Sequence, residues 1–308
     1  MATTTTVGRG KHTYEVQEDW AQLPAGWTMP AAAVTVDAQD RVYCFNRHPD
    51  HPVVVFDRDG RYLHSWGAGM FEFPHAIRAN ADGTLWLTDR ERGQMMQFTL
   101  AGELLRTIGT RGHRSDTGVD ASEPKSSAWR KVTRGDAPFN LPTDIVAAPS
   151  GELFVTDGYG NARLHKFAAD GRHLSSWGEP GTAPGQFNMP HGVWIDRRGR
   201  VLVCDRENDR VQVFDQQGAL LTVWPTRLIG PAFFYVDPDD VVYIPEHNGG
   251  LVSVLTLDGE LLAQWGDPSF RSCHGIWGDS RGDLYVVRPP TGGGGSGGRR
   301  IVKHVRVR

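Results

Sequence analysis

A repeated unit is the feature that most constrains the fold of this chain. A pattern of about 40 residues recurs six times, and each copy contains four short alternating strands separated by turn dipeptides such as Asp-Gly. No helical periodicity of useful length is present. Tandem four-stranded units are typical of β-propeller blades. We therefore predict an all-β protein, a single six-bladed β-propeller over residues 1–308, with blades at about 27–67, 71–109, 139–178, 187–225, 228–266 and 271–308.

The sixth copy of the repeat is incomplete and contains a glycine-rich segment. The last copy stops before its fourth strand, whereas residues 12–20, HTYEVQEDW, precede the first copy and have a strand-like pattern. We expect residues 12–20 to close the ring as the outer strand of the last blade. The segment TGGGGSGG, residues 291–298, is expected to form a flexible turn inside the sixth copy, and it is either native or engineered.

Composition and charge limit which binding partners and which cellular compartment we expect. The formal net charge is −3, which gives no electrostatic reason to expect nucleic acid or an anionic membrane as a partner. The first residues, MATTTTVGRGKH, lack the apolar segment of a secretory signal, and no apolar run is long enough to span a membrane. Only three cysteines are present, and they lie far apart in the sequence: Cys44, Cys204 and Cys273. We expect a cytoplasmic protein without disulfides, a monomer or a weak oligomer.

Histidine occupies one slot of the repeat in every second copy. The segments FEFPHAIRA, FNMPHGVWID and FRSCHGIWG place His75, His191 and His274 at the beginning of the innermost strand of copies two, four and six. The other three copies have small residues in this slot: Ala31, Thr143 and Ala232. Because innermost strands line the central channel of a propeller, the three histidines are expected at one height around the channel axis.

Three convergent imidazoles with an open fourth position are the pattern of a catalytic zinc site. Iron, cobalt or copper would also accept imidazole ligands. The alternative is that the histidines merely line the channel or have a structural role. The sequence predicts a shared metal ion, because one histidine in one copy would favour the structural role, whereas the same slot is used three times.

The loops between the second and third strands return to the face of the histidines. They supply the following candidates: Arg47, His48, His51, Arg90, Arg92, Tyr159, Arg206, Glu207, Glu246, His247 and Arg288. Several arginines and one tyrosine around a metal favour a small anionic substrate that carries a carboxylate. From its position alone, Tyr159 either leans over the channel or stays in its loop. The recurring Asp89, Asp157 and Asp205 are expected to accept hydrogen bonds from turn amides rather than to take part in chemistry.

A polar insertion at 110–138 connects an outer strand to the next inner strand, which places it on the same face. The insertion is either a partial lid over the site or a disordered surface loop.

The segments TDGYGNARL, GQFNMPHGV and CDRENDRVQVFD resemble the peptidyl-α-hydroxyglycine α-amidating lyases, within the wider group of NHL-type propellers. The resemblance covers most of residues 27–288. It implies a six-bladed propeller with a catalytic zinc ion held by the three histidines. It also implies that Tyr159 corresponds to the catalytic tyrosine of the family, and that Arg47 and Arg206 correspond to its two active-site arginines.

The chain departs from the pattern of this family at three positions. Ser272 replaces a methionine that shapes the family's pocket, so Ser272 is a weaker candidate for substrate contact, together with Arg90, His247 and Arg288. Gly275 replaces an aspartate linked to a structural calcium ion, so calcium is doubtful here. Gly160 replaces a disulfide cysteine. The catalytic apparatus therefore resembles the family's, whereas the substrate is open.

Three functions remain as alternatives. The first is a metal-dependent lyase that cleaves the C–N bond of an α-hydroxy amide (a carbinolamide) to an amide and an aldehyde such as glyoxylate. In this reaction Tyr159 is the general base, its pKa lowered by the metal and Arg47, and Arg47 and Arg206 hold the anion. The second is a metal-dependent hydrolase or hydratase of a small amide, ester or lactone at the same site. The third is a non-catalytic NHL scaffold that binds protein or RNA.

Overall fold

The computed structural model describes residues 5–120, 122–290 and 298–308. The predicted turn at 291–298 therefore lies outside the described residues, except for Gly298. The described regular structure is almost entirely strand, with 3₁₀ turns at Ala128–Lys131, Arg206–Asn208 and Pro268–Phe270. None of the helices in the described ranges has the length and the apolar character needed to cross a bilayer.

The strands form six antiparallel sheets in chain order. Two strands come first, β1 (Thr5–Arg9) and β2 (His12–Gln17). The first three blades contain β3 (Ala31–Val36), β4 (Val42–Asn46), β5 (Val53–Phe56), β6 (Tyr62–Trp66), β7 (Pro74–Ala79), β8 (Thr84–Asp89), β9 (Gln94–Thr99), β10 (Leu104–Ile108), β11 (Pro142–Ala147), β12 (Leu153–Asp157), β13 (Arg163–Phe167) and β14 (His173–Trp177). The last three contain β15 (Pro190–Ile195), β16 (Val201–Asp205), β17 (Arg210–Phe214), β18 (Leu220–Val223), β19 (Tyr235–Val236), β20 (Val242–Glu246), β21 (Leu251–Leu255), β22 (Leu261–Gly266), β23 (Ile276–Gly278), β24 (Leu284–Arg288) and β25 (Arg300–Arg306).

These sheets confirm the predicted six-bladed propeller. Each of the first five blades is a four-stranded meander whose strands lie within the stretch that the repeat predicts, and β23, β24 and β25 of the sixth blade lie within 271–308. The fifth blade has the shortest inner strand of the first five, because β19 contains only two residues and an isolated bridge between Pro231 and Glu246 precedes it.

The core of the protein lies between adjacent blades. In β4, Tyr43 and Phe45 belong to one apolar cluster with Leu87 of the second blade. The alternate residue Cys44 belongs to a different cluster, which it shares with Tyr285 of the sixth blade. Because both faces of such a strand are covered by neighbouring blades, it is buried at every position. The outer strands of the first five blades are more exposed, and in β22 exposed and buried residues alternate over part of the strand.

The predicted closure of the ring by the N-terminal segment is confirmed. Strand β2 pairs antiparallel with β25, so the last sheet has the order β1-β2-β25-β24-β23. The segment forms a hairpin rather than a single strand, because β1 adds a fifth strand outside β2. Tyr14 of β2 contacts the neighbouring fifth blade: its hydroxyl lies 3.2 Å from that of Tyr243, and its ring packs 5.3 Å from that of Trp265.

The insertion at 110–138 is docked on the propeller wherever it is described. The Thr117 hydroxyl donates to the backbone carbonyl of Gly160 at 2.6 Å, and the Asn140 amide donates to the Thr117 hydroxyl at 3.0 Å. Ala128, in the 3₁₀ turn of the insertion, is buried in an apolar cluster with Tyr159. The described part of the insertion therefore forms a wall next to Tyr159 and not a disordered loop.

Candidate metal centre

The structure brings the three histidines together on the propeller axis. His75 lies in β7, His191 lies in β15, and His274 lies shortly before β23. Their ring centroids are 4.9, 5.0 and 5.0 Å apart, and their candidate ligand atoms lie within 4.8 Å of one another. All three side chains are buried. This nearly equilateral arrangement can hold one metal ion.

Backbone carbonyls fix the orientation and the tautomer of each imidazole. The Nδ1 atom of each histidine lies within hydrogen-bond distance of a backbone carbonyl oxygen of the next blade: Thr143 at 2.6 Å from His75, Ala232 at 2.8 Å from His191, and Ala32 at 2.6 Å from His274. Because a carbonyl oxygen can only accept, each Nδ1 carries the proton and each Nε2 presents a lone pair. Such a hydrogen bond is the usual support of a metal-ligating histidine.

The Nε2 atoms fit a metal ion. Those of His75 and His191 are buried and have no hydrogen-bond partner among the described residues, and a buried nitrogen in this state is costly unless it is ligated. Burial, together with the neighbouring arginine guanidiniums, holds the pKa of all three histidines well below the usual value. The imidazoles are therefore neutral and available as ligands at neutral pH. Three neutral imidazoles suit zinc, and they also accept iron, cobalt or copper.

Phe233 closes the channel beneath the histidines. It follows Ala232 in the chain and packs against Ala76, the residue after His75. Its ring centroid lies 4.8 Å from those of His191 and His274. The Phe233 ring therefore covers the three imidazoles on one side.

Tyr159 lies beside two of the three histidines. Its ring lies 5.3 Å from that of His75 and 5.9 Å from that of His191, and Arg206 Nη1 donates to its hydroxyl at 3.4 Å. Burial alone would raise the pKa of this tyrosine, but the positive charges of Arg206 and Arg90, with further help from Arg299, outweigh burial and lower the pKa. The arrangement therefore makes the hydroxyl of Tyr159 easier to deprotonate than that of an ordinary tyrosine.

Two flanking glycines allow the Tyr159 loop to pack so closely. A Cβ atom on Gly158 would lie 2.1 Å from the carbonyl oxygen of Pro190, and one on Gly160 would lie 2.3 Å from the side-chain oxygen of Asn140. Any larger residue at either position would push the loop outward. The glycines thus explain why the sequence DGYGN directs Tyr159 toward the axis.

The residue that ends the second strand of a blade positions the one that follows it. Three of these residues are aspartates that accept hydrogen bonds from backbone amides before the inner strand: Asp89 from Phe73 at 3.0 Å, Asp157 from Asn140 at 2.7 Å and Asp205 from Asn188 at 2.7 Å. This is the turn-satisfying role expected for them. Arg90 and Arg206 directly follow two of these aspartates, and Arg47 follows Asn46 in the first blade. The three arginines therefore reach the same cavity.

Stacking and ion pairs hold these arginines in place. The ring of Phe73 lies between the guanidinium carbons of Arg47, at 4.0 Å, and Arg90, at 3.9 Å. Arg90 also lies 4.4 Å from the ring centroid of Tyr159 and pairs with Glu91 at 2.6 Å. Arg206 pairs with the next residue in sequence, Glu207, at 2.9 Å.

The structure does not support a substrate-binding role for Arg288, which corrects the sequence-based expectation. Arg288 ends β24 and so occupies the position of the capping aspartates, one residue before the position that faces the cavity. Its guanidinium pairs with Glu18 of the N-terminal segment and stacks 4.0 Å from the ring centroid of Phe270. Arg288 does not line the cavity above the histidines.

His247 and Ser272, the other weaker candidates, both line the cavity. The His247 ring lies 6.3 Å from that of His274, and burial and the charge of Arg206 lower its pKa to about 4. The Ser272 backbone amide donates to the His247 carbonyl at 2.7 Å, which joins the two residues. Their side chains form one side of the cavity next to His274.

Sequence reasoning missed Arg299, which also lines the cavity. Its Nη1 atom lies 3.5 Å from the carbonyl oxygen of Ser272, and burial is the main reason that its pKa is lowered to about 10. Its positive charge is, after burial, the largest influence on the pKa of His274. One sequence signal pointed to it: Arg299 ends the loop between the second and third strands of the sixth copy, and such loops lie on the face of the histidines.

The cavity above the histidines has a volume of about 600 Å³. Its lining includes Ser126 of the insertion and the following functional candidates: Arg47, Arg90, Tyr159, Arg206, His247, Ser272 and Arg299. The strongly positive lining suits a small anion.

Comparisons with known proteins agree with this architecture. A family model described as NHL repeat matches residues 139–167 and 187–214. Human NHL repeat-containing protein 3 is 29% identical over 256 residues, which cover 79% of this chain and 67% of that protein. Peptidyl-alpha-hydroxyglycine alpha-amidating lyase 1 of Drosophila melanogaster is 30% identical over 205 residues, which cover 63% of this chain and 34% of that protein. A solved gluconolactonase from Xanthomonas campestris has the same fold, with a TM-score of 0.63 and 14% identity over 99% of this chain and 95% of that one.

The fold and the site define a class, the six-bladed β-propellers in which three buried histidines meet on the axis. Within this class the chain is similar to NHL-repeat proteins and to amidating lyases, in agreement with the resemblance found in the sequence. Several of these relatives and structural neighbours are named as enzymes, which supports an enzymatic role for this chain. The matched region spans about a third of the Drosophila lyase (34%), so the reaction has to be argued from the site itself.

Proposed function

We propose that the protein is a metal-dependent lyase that cleaves the C–N bond of a carbinolamide carrying a carboxylate, an N-acyl-α-hydroxyglycine or a close analogue. The products are an amide and an aldehyde acid such as glyoxylate. The observation that carries this proposal is the position of Tyr159, whose hydroxyl accepts a hydrogen bond from Arg206 and whose ring lies beside His75 and His191. The similarity to named amidating lyases supports the same reaction.

The three histidines are the proposed ligands of a divalent ion, and zinc suits their donor set best. When bound, the ion supplies a Lewis acid at the open side of the triad. The residues of the chain supply the remaining elements of the reaction. Arginines of the cavity bind and orient the carboxylate of the substrate, and Phe233 together with the insertion limits the access of water.

Tyr159 moves the proton. Its phenolate accepts the proton of the carbinol hydroxyl, the C–O bond becomes a carbonyl, and the C–N bond breaks. The departing amide nitrogen then takes the proton back from the Tyr159 hydroxyl, so that atoms and charges balance. Because Arg206 and Arg90 stabilise the phenolate, the base is available closer to neutral pH than an ordinary tyrosine would be.

The test is the product formed from racemic N-benzoyl-α-hydroxyglycine by metal-loaded protein. The lyase gives benzamide and glyoxylate, and a chiral site consumes one enantiomer only. A hydrolase would give benzoate instead. Benzoate as the product, or no consumption beyond the spontaneous rate, contradicts the lyase proposal.

A further inference from the structure

The arginines of the cavity fall into two pairs that differ in their partners. Arg90 and Arg206 each have a carboxylate beside them, at 2.6 and 2.9 Å. Each of the two also contacts Tyr159, one over the ring at 4.4 Å and the other at the hydroxyl at 3.4 Å. Their charges are therefore already partly neutralised, and both are directed at the tyrosine.

Arg47 and Arg299 form the second pair, and neither has an ion-pair partner among residues 5–120, 122–290 and 298–308. The hydrogen bonds of their guanidiniums within these ranges are long and go to carbonyl oxygens: Arg47 Nε to Pro74 at 3.4 Å and Arg299 Nη1 to Ser272 at 3.5 Å. A guanidinium has five N–H donors, so most of theirs have no acceptor within the described ranges, and both residues line the cavity. The charge of Arg299 is the strongest electrostatic influence on Arg47, and with burial it lowers the pKa of Arg47 to about 9.

Two like charges side by side in a half-buried site raise the free energy of the folded protein unless an anion lies between them. An anion that accepts hydrogen bonds from both guanidiniums removes this cost. The planar guanidinium group, with its paired N–H donors, matches the two oxygens of a carboxylate. The two residues come from opposite ends of the chain and meet where the first blade adjoins the sixth. Tyr159 and Arg206 belong to the third and fourth blades, on the other side of the axis.

We infer that Arg47 and Arg299 together form the carboxylate clamp of this site, and that Arg299 is a specificity-determining residue. Arg90 and Arg206 act as positioning residues for Tyr159. The clamp holds the acid group of the substrate on the side of the first and sixth blades, so that the carbinol hydroxyl faces Tyr159. This inference deepens the proposed function and rests on it for the nature of the anion.

The experiment measures binding by calorimetry with the metal-loaded full chain. The probe is N-benzoylglycine, which lacks the hydroxyl group and cannot react, and its methyl ester is the uncharged counterpart. Wild-type protein is expected to bind the acid more tightly than the ester. Arg299→Gln is expected to raise the Kd of the acid about 10- to 100-fold, the loss of a charge-assisted hydrogen bond, and to leave that of the ester within about threefold. Arg299→Lys, which keeps the charge without the fork, is expected to restore part of the affinity.

Two further variants separate the clamp from general effects. Arg281→Gln changes an exposed arginine of the same blade at the opposite face, and it is expected to leave both affinities unchanged. Arg206→Gln is expected to affect the acid far less than Arg299→Gln does. In the absence of ligand, Arg299→Gln is expected to melt at the same temperature as the wild type or higher, because it removes one of two adjacent like charges. Replacement of a residue that only supports the fold would lower the melting temperature.

The outcomes that overturn the clamp are specific. They are an unchanged Kd of the acid in Arg299→Gln, an equal loss for the acid and the ester, or a loss in Arg206→Gln as large as that in Arg299→Gln. Tight binding of N-benzoylglycine through Arg299 without cleavage of the α-hydroxy analogue supports the clamp and contradicts the lyase. Full cleavage efficiency in Arg299→Gln supports the lyase and contradicts the clamp.

Discussion

Arg206 Nη1 lies 3.4 Å from the hydroxyl of Tyr159, and the tyrosine ring stands 5.3 Å from that of His75. One arginine thus stabilises the ionised form of a buried tyrosine at the edge of the three-histidine centre. Removal of the hydroxyl alone, by Tyr159→Phe, is expected to lower kcat by about 10²–10⁴-fold, the usual contribution of a general base. The metal content should not change, since the phenol is not one of the three imidazole donors.

Steady-state kinetics on N-benzoyl-α-hydroxyglycine and elemental analysis of the same samples check this prediction. Tyr62→Phe is the matched control, because its ring belongs to the outer strand of the first blade. Wild-type turnover in Tyr159→Phe would remove this residue from the mechanism.

A second prediction concerns pH. Arg206 and Arg90 lower the pKa of Tyr159 in spite of burial, and the base is the deprotonated form, so kcat/KM should rise with pH through this pKa. Arg206→Gln removes the charge at the hydroxyl, and the pKa of Tyr159 should increase. The rising limb of the pH profile is therefore expected to move to higher pH.

The profile is measured in the wild type, in Arg206→Gln and in the distant variant Arg281→Gln. The phenolate absorbance of each, corrected with its Tyr159→Phe counterpart, gives the pKa independently of turnover. A rising limb that stays in place in Arg206→Gln while kcat falls would mean that Arg206 acts on the substrate and not on the tyrosine.

The fold and the histidine centre could be predicted because both repeat along the chain. A slot that holds His75, His191 and His274 in alternate copies has only one geometric meaning in a closed ring of six blades. Arg288 was wrongly expected in the cavity because a shift of one residue changes which way a side chain points. The last residue of the second strand faces a neighbouring segment, and the residue after it faces the cavity.

Arg299 could not be placed from the sequence for a different reason. The glycine-rich stretch before it has no strand pattern, so the number of residues from Arg288 does not define where the chain returns to the site. Strand β1 was missed because TTVGR lacks a clear alternation of apolar and polar residues. The cytoplasmic location, the absence of nucleic-acid, membrane and calcium binding, and the monomeric or weakly oligomeric state stay predictions.

The closure of the ring supplies a third prediction, on stability. Trp20 follows β2, and its ring packs 5.4 Å from Phe56 of the first blade and 4.9 Å from Tyr285 of the sixth. Its indole N–H donates to the carbonyl of Arg58 at 2.8 Å. Trp20→Ala should therefore lower the free energy of unfolding by about 3–5 kcal/mol, as for other buried aromatic residues.

Urea unfolding followed by circular dichroism measures this loss. The control is Leu221→Ala, since Leu221 is an apolar residue of β18 that is 52% exposed, and its replacement is expected to cost no more than about 0.5 kcal/mol. Equal effects of the two substitutions would mean that the N-terminal segment does not hold the first and sixth blades together.

The metal centre supplies the fourth prediction. The Nε2 atoms of His75 and His191 are buried and have no hydrogen-bond partner in the described part of the chain, which is costly in the free protein. A divalent ion that ligates them should therefore bind tightly and stabilise the fold. Elemental analysis of tag-free protein is expected to find about one zinc or related ion per chain, as for a three-histidine site with an open fourth position. In His191→Ala this ion should be lost, and added zinc should no longer raise the melting temperature. His113→Ala, at an exposed position of the insertion, should keep both properties. Wild-type protein that contains no metal even after reconstitution would contradict both the lyase and the hydrolase, because each requires the ion. The propeller would then be a binding scaffold whose cavity captures an anion without transforming it.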